Sequence, residues 1–233
     1  VMLVGTLNRV MIVELGVPTS LVSFMVALPL LIAPFRALIG FQSDHHRSHL
    51  GWRRVPYIWM GTLMQFGGFS IMPFALLVLS GAGQSAQAPV WIGWAASGLA
   101  FLLVGAGIHI TQTVGLALAT DLAPEVDQPK VVGLMYVMQL LGMIVSALVF
   151  GVALNEFSPG KLIQVIQASA IITLLLNVIS LWKQEPRGQV EKKSSREPSF
   201  LDSWRTFSQG GNAMRRLVAV GFGTMAFSMN EVL

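Results

Sequence analysis

The sequence has 233 residues, of which 54% are hydrophobic and 11% charged, and its mean hydropathy is +0.67. Soluble domains carry roughly 25% charged residues, and a soluble chain of this length could not keep so much apolar surface from water. Disorder, coiled coil and, despite a net charge of +4, nucleic-acid binding are excluded; the lack of cysteine excludes disulfides, thiol nucleophiles and cysteine-based metal centres. The composition is that of an integral membrane protein.

A helix crossing the hydrocarbon core needs roughly 20 predominantly apolar residues. That rule predicts six spans and part of a seventh: about residues 1–15, 21–41, 55–79, 90–120, 131–154 and 162–182, with the last starting near 217. Helices are expected because each segment must satisfy its own backbone in lipid. The runs are apolar on all sides, without the alternation of barrel strands. The chain opens and closes inside apolar runs, so it is expected to be a piece of a longer protein.

The connections alternate in charge. Those after spans one, three and five hold a single basic residue, Lys161. Thirteen of the 15 Lys and Arg lie on the other side, counting Arg36 near the end of span two, and Arg9 lies within span one. This asymmetry predicts that the even-numbered connections and the N-terminal end are cytoplasmic. Residues 183–212 mix Lys, Glu, Ser, Gly and Pro without a long apolar run, which predicts a mobile cytoplasmic linker. Within it Phe200, Leu201, Trp204 and Phe207 recur at helical spacing, the pattern of a short interfacial helix. The predicted domains are a six-helix bundle over 1–182, the linker, and the start of a second helical half over 213–233. Two repeated halves of this kind make a 6+6 transporter architecture.

The connection after span two carries Gly40-Phe41-Gln42-Ser43-Asp44-His45-His46-Arg47 and then Gly51-Trp52-Arg53-Arg54. It resembles the loop between the second and third helices of the major facilitator superfamily, Gly-x-x-x-Asp-(Arg/Lys)-x-Gly-(Arg/Lys)-(Arg/Lys), with extra residues in the middle. Gly40 would let two helices approach, and Asp44 would accept from an Arg or a helix N-terminus across the interface. The bland reading is a solvated basic turn. Asp121 and Glu125, ahead of span five, join Gly40, Asp44, Arg47, Gly51, Arg53 and Arg54 as a predicted conformational latch. Asp44 with His45, His46 and His49 crowds a short polar turn, and no further acidic cluster completes a metal site.

A closer resemblance covers essentially the whole chain. Asn8-Arg9-Val10-Met11-Ile12-Val13-Glu14-Leu15-Gly16-Val17-Pro18 leads to Ala33-Pro34-Phe35-Arg36-Ala37-Leu38-Ile39-Gly40. Gly51-Trp52-Arg53-Arg54-Val55-Pro56-Tyr57-Ile58-Trp59 and Ala119-Thr120-Asp121-Leu122-Ala123-Pro124-Glu125 follow. These stretches look like the PucC/LhaA-type bacteriochlorophyll-delivery family of the major facilitator superfamily. The resemblance implies the N-terminal half of a 12-helix protein in the bacterial inner, intracytoplasmic photosynthetic membrane. It implies a light-harvesting complex assembly factor that hands bacteriochlorophyll to the antenna α and β polypeptides. Carotenoid or lipid are further expected ligands, and the reaction centre or chlorophyll synthase further expected partners.

Polar residues inside spans are costly in lipid and face protein or a cavity. Asn8, Arg9 and Glu14 lie in span one; five residues of α-winding would set Arg9 and Glu14 about 140° apart. They fit a substrate cavity or an interhelical bridge equally well. His109 in span four, with Gln112 and Thr113 at i+3 and i+4, forms a polar stripe. A neutral imidazole or a Gln carbonyl oxygen can ligate the magnesium of a bacteriochlorophyll, so the resemblance makes His109 and Gln112 pigment-ligand candidates. The alternative is a His hydrogen-bonded to a neighbouring helix. Thr111, Gly115 and Ala119, and Gly142 with Ser146, are small-residue stripes expected at close helix contacts. No Walker loop, dinucleotide fingerprint or catalytic triad is visible, and a non-enzyme is expected. Two other functions remain open: a small-solute secondary transporter, proton-coupled through Glu14 or Arg9, and a pigment-free assembly scaffold.

Overall fold

The computed structural model describes residues 2–46, 48, 51–81, 87–185 and 199–232, and every regular element among them is helical. Arg47, His49, most of the 81–89 connection and residues 186–198 of the linker lie outside the described residues. The chain divides into two units, Val1–Gly188 and Gln189–Leu233.

Five helices in the first unit are long and apolar enough to cross a membrane. The first, Thr19–His45, is a rod of three windings: α1 (Thr19–Ala27), a 3-10 stretch (Leu28–Phe35) and α2 (Arg36–His45). The others are α3 (Val55–Ser80), α4 (Val90–Asp121), α5 (Gln128–Ala153) and α6 (Pro159–Leu181). Their ends lie within a few residues of those expected from hydropathy, except that α2 carries the second span one turn further, to His45. Asp44 and His45 therefore sit on a helix and not in a loop.

The segment before α1 departs from the expected span. Met2–Leu7 and Val10–Glu14 are π-wound, where the expected span is α-helical. In π-winding the hydrogen bonds run i→i+5, as in the Leu15 amide donating to the Val10 carbonyl at 3.1 Å. Such winding turns the chain less per residue than α-winding, so the 140° separation expected for Arg9 and Glu14 does not apply here. The 3-10 stretch has a local cause. Pro29 and Pro34 have no N–H to give to an α-ladder, and a proline ring crowds the preceding turn.

The tightest packing joins α3 to α4. A Cβ on Gly61 would lie 2.9 Å from the Gly107 carbonyl, and one on Gly68 2.8 Å from the Ala100 carbonyl. A Cβ on Gly107 would meet the Gly61 carbonyl, and one on Gly105 the Pro29 ring of the 3-10 stretch. Gly115 and Gly142 have open space where a Cβ would go, so neither of these glycines is pinned, whereas Thr111 of the first predicted stripe does lie against Gly61 of α3. The core is built around Phe101, Val104 and Met72 between α3 and α4, with Leu7, Met11, Val22 and Ile166 closing it from the first segment, α1 and α6. Helix α5 has no buried residue.

Two threonines of α4 stitch this packing with the same device. Each donates to its own i−4 carbonyl and accepts from a neighbouring helix. Thr111 binds the Gly107 carbonyl at 2.7 Å and receives Gln65 Nε2 of α3 at 3.0 Å. Thr113 binds the His109 carbonyl at 2.7 Å and receives Arg36 Nε of α2 at 2.8 Å.

In the second unit α7 (Phe200–Gln209) is capped by the Ser199 hydroxyl, which accepts from the Asp202 amide at 3.2 Å. Helix α8 (Gly211–Val232) begins before the apolar run predicted from 217 and carries Arg215 and Arg216 in its first turns.

Candidate functional site

Two polar constellations organise the first unit. One gathers four helix ends: the end of α2, the start of α3, the end of α4 and the residues after α6. Arg54 is its centre. Its side chain is only 7% exposed, with Nη2 2.7 Å from Asp44 Oδ1 and Nε 2.8 Å from Asp121 Oδ2. Arg53 adds a more exposed contact to Asp121 at 3.3 Å. One guanidinium thus forks between two carboxylates from different helices, a geometry that lysine cannot reproduce.

Glu185 completes this end. Its carboxylate accepts the Arg53 amide at 2.8 Å, the Arg54 amide at 3.2 Å and the Val55 amide at 3.0 Å. These are donors that a helix start leaves unsatisfied, and the dipole of α3 favours the negative charge there. Sequence reasoning had placed Glu185 in a mobile linker, whereas the structure makes it the cap of α3. Lys183, with φ of 55°, takes the left-handed conformation just after α6, where the chain turns toward that contact.

Of the predicted latch residues, Asp44, Arg53, Arg54 and Asp121 are brought together. Gly51, with φ of 79°, occupies a turn that L side chains rarely adopt. A Cβ on Gly40 would meet Thr113 Cγ2 at 3.8 Å, an ordinary contact, so the approach of α2 to α4 does not require glycine there. Glu125 is exposed and forms no ion pair among the described residues, while Asp127 pairs with Lys130 at 2.8 Å. Arg47 lies outside the described residues.

The second constellation lies deeper, between α2, the 3-10 stretch and α4. It joins Arg36 to Thr113, which in turn donates to the backbone carbonyl of His109. His109 Nδ1 is shut off from solvent and has no hydrogen-bond partner among the described residues. Arg36 has no carboxylate within salt-bridge distance among the described residues. Gln112 is exposed, so the stripe expected from its spacing splits, with Thr113 and not Gln112 joining His109. Asn8 is half-buried, and Arg9 and Glu14 are exposed without an ion pair between them. Arg36 was counted from the sequence only as a flanking charge; nothing local marks its partner 77 residues away. Among the described residues no group of His, Asp and Glu is placed to hold a metal ion.

The family model described as PUCC protein matches residues 6–233. The chain belongs to the PucC family. It is 62% identical to Protein PucC of Rhodovulum sulfidophilum and 58% identical to Protein PucC of Rhodobacter capsulatus, over its full length in both cases. It covers 52% and 51% of those proteins, so it spans about half the length of the curated relatives it matches. A more distant relative, 24% identical over 88% of this chain and 45% of its own, is the bacteriochlorophyll synthase 44.5 kDa chain of Rhodobacter capsulatus. No solved structure matches. The PucC-type resemblance of the motifs is thus confirmed at the level of the family, and the chain is a helical membrane protein of the PucC family.

Proposed function

We propose that this chain is the N-terminal half of a major-facilitator-type assembly factor that binds bacteriochlorophyll and hands it to antenna α and β polypeptides. Membership of the PucC family over residues 6–233 carries this reading. The distant relative named for bacteriochlorophyll synthase supports a link to that pigment. Five candidate spans, a helical first segment and coverage of about half of each relative fit one half of a two-repeat architecture. The charge asymmetry of the connections supports a cytoplasmic position for the four-ended constellation, in the photosynthetic inner membrane that the family reading implies.

The pigment is the cargo, and the second constellation is where its polar parts would be held. His109 has an enclosed nitrogen without a partner, so its imidazole has ligating capacity left. Arg36 spends its Nε on Thr113, and its terminal N–H groups suit the keto and ester oxygens of a tetrapyrrole rim. The 3-10 stretch packs over this cluster, with Pro29 against Gly105, so loading requires Leu28–Phe35 to shift off α4. Gln112 and the Asn8, Arg9 and Glu14 group stand at more exposed positions and serve as entry-side contacts.

Absorption of the gently solubilised full-length protein tests this reading. A bacteriochlorophyll band without antenna subunits supports delivery, and His109→Leu should reduce it several-fold with the fold intact. Antenna subunits co-purifying with no pigment on this chain would leave a scaffold. Neither pigment nor antenna, together with solute flux in vesicles, would leave a transporter.

A further inference from the structure

We infer that α7 is a membrane-surface anchor that lies on an anionic lipid leaflet with its aromatic edge inserted. The inference rests on the second unit alone and is independent of what the first unit binds. Phe200, Trp204 and Phe207 form a continuous ladder, with ring centroids 6.4 Å apart at its first step and 5.9 Å at its second, both stacked. Stacking of this kind aligns three large rings along one edge of a ten-residue helix. The edge is not packed away: Leu201 is 71% exposed, and Trp204 and Phe207 are each 41% exposed. At 100° per residue the opposite face carries Asp202, Arg205, Thr206 and Gln209.

A helix this short is unstable by itself in water. Here its first turn is fixed by the Ser199 cap, whose hydroxyl also donates to Asp202 Oδ2 at 2.7 Å. Leu201, Trp204 and Phe207 remain exposed, and charge selects what covers them. Residues 199–216 hold three basic side chains (Arg205, Arg215 and Arg216) against one acidic one, Asp202. A basic segment with an aromatic edge matches the boundary of a negatively charged leaflet. Trp and Phe sit at headgroup depth there, and each nearby cation adds attraction that salt screens. Continuity points the same way, because the chain passes from α7 through Gly210 directly into α8, whose apolar run starts at Leu217.

The absence of native cysteine makes the test direct. Leu201→Cys and Gln209→Cys are made singly in the full chain and labelled with an environment-sensitive fluorophore. Each is reconstituted in phosphatidylcholine vesicles with and without phosphatidylglycerol. The label at 201 is expected to be blue-shifted and quenched by lipid-borne quenchers at least twofold more than the label at 209. Its quenching should fall when phosphatidylglycerol is omitted or salt is raised. Equal, water-like signals at both positions would overturn the inference. So would a label at 201 shielded from lipid and aqueous quenchers alike, because protein would then cover the edge. Phe207→Cys provides a second inserted position should Leu201→Cys disturb the helix.

Discussion

Arg54 shows how much one side chain can decide here. A guanidinium that is 7% exposed would be costly without partners, and Asp44 and Asp121 supply them from two other helices. Both carboxylates are nearly half exposed, which screens each pair and holds its net worth below that of a fully buried one. Arg54→Gln should therefore cost about 2 kcal/mol, leaving Asp44 without its cation and Asp121 with only the exposed Arg53. Arg53→Gln, at an exposed contact, should cost less than about 1 kcal/mol. Unfolding of the two variants in detergent checks the difference, and equal losses would show that Arg54 is not the centre. Asp44, Arg54 and Asp121 were legible because the sequence signals charged residues at span ends. Glu185 was not, because a carboxylate capping a helix that begins 130 residues earlier leaves no local pattern.

At the scale of elements, hydropathy located the spans because the bilayer imposes their length, and the helix ends follow it closely. Contacts between spans are a different matter. A stripe of small residues at i+4 recurs in many membrane helices, and only the pairing of α3 with α4 decides which glycines are pinned. Those are Gly61, Gly68 and Gly107, while Gly115 and Gly142 stand in open space. Gly107→Leu should thus destabilise the bundle by about 1–3 kcal/mol or more, since the backbone of α3 blocks the new side chain. Gly142→Leu on unburied α5 should be within about 0.5 kcal/mol of neutral. Thermal aggregation of the two variants in the same detergent is the measurement, and comparable losses would refute the packing. The windings of the first segment and of the second span were also hidden. Periodicity reports which face is apolar and does not report which carbonyl an amide selects. Pro29 and Pro34 were the available warning of the 3-10 stretch.

Across the whole first unit, the meeting of these helix ends independently requires α2, α4 and α6 to run toward that end and α3 away from it. The sequence reached the same alternation through charge, by counting thirteen basic residues against one. Two unrelated signals, one electrostatic and one geometric, therefore agree on topology. Single cysteines at Ala123 and at Asn155, in this cysteine-free chain, convert that agreement into an orientation test. A membrane-impermeant thiol reagent should label position 123 only in inside-out vesicles and position 155 only in right-side-out ones. The reverse pattern would invert the protein in its membrane. The deeper cluster of His109, Thr113 and Arg36 was legible only in part: His109 stood out as a lone histidine in an apolar helix, but its companions depended on how the second span is wound.

That winding has a rotational consequence. A 3-10 helix advances about 120° per residue against 100° for an α-helix, so eight residues of it accumulate roughly 160° of extra rotation. Had the rod from Thr19 stayed α-wound, Arg36 would point nearly the opposite way. The two prolines thus act as a phase shifter, turning the far half of one span by almost half a revolution relative to the near half. A guanidinium that uniform winding would aim elsewhere is delivered to Thr113, and small changes in the extent of 3-10 winding would sweep it around the helix like a hand on a dial.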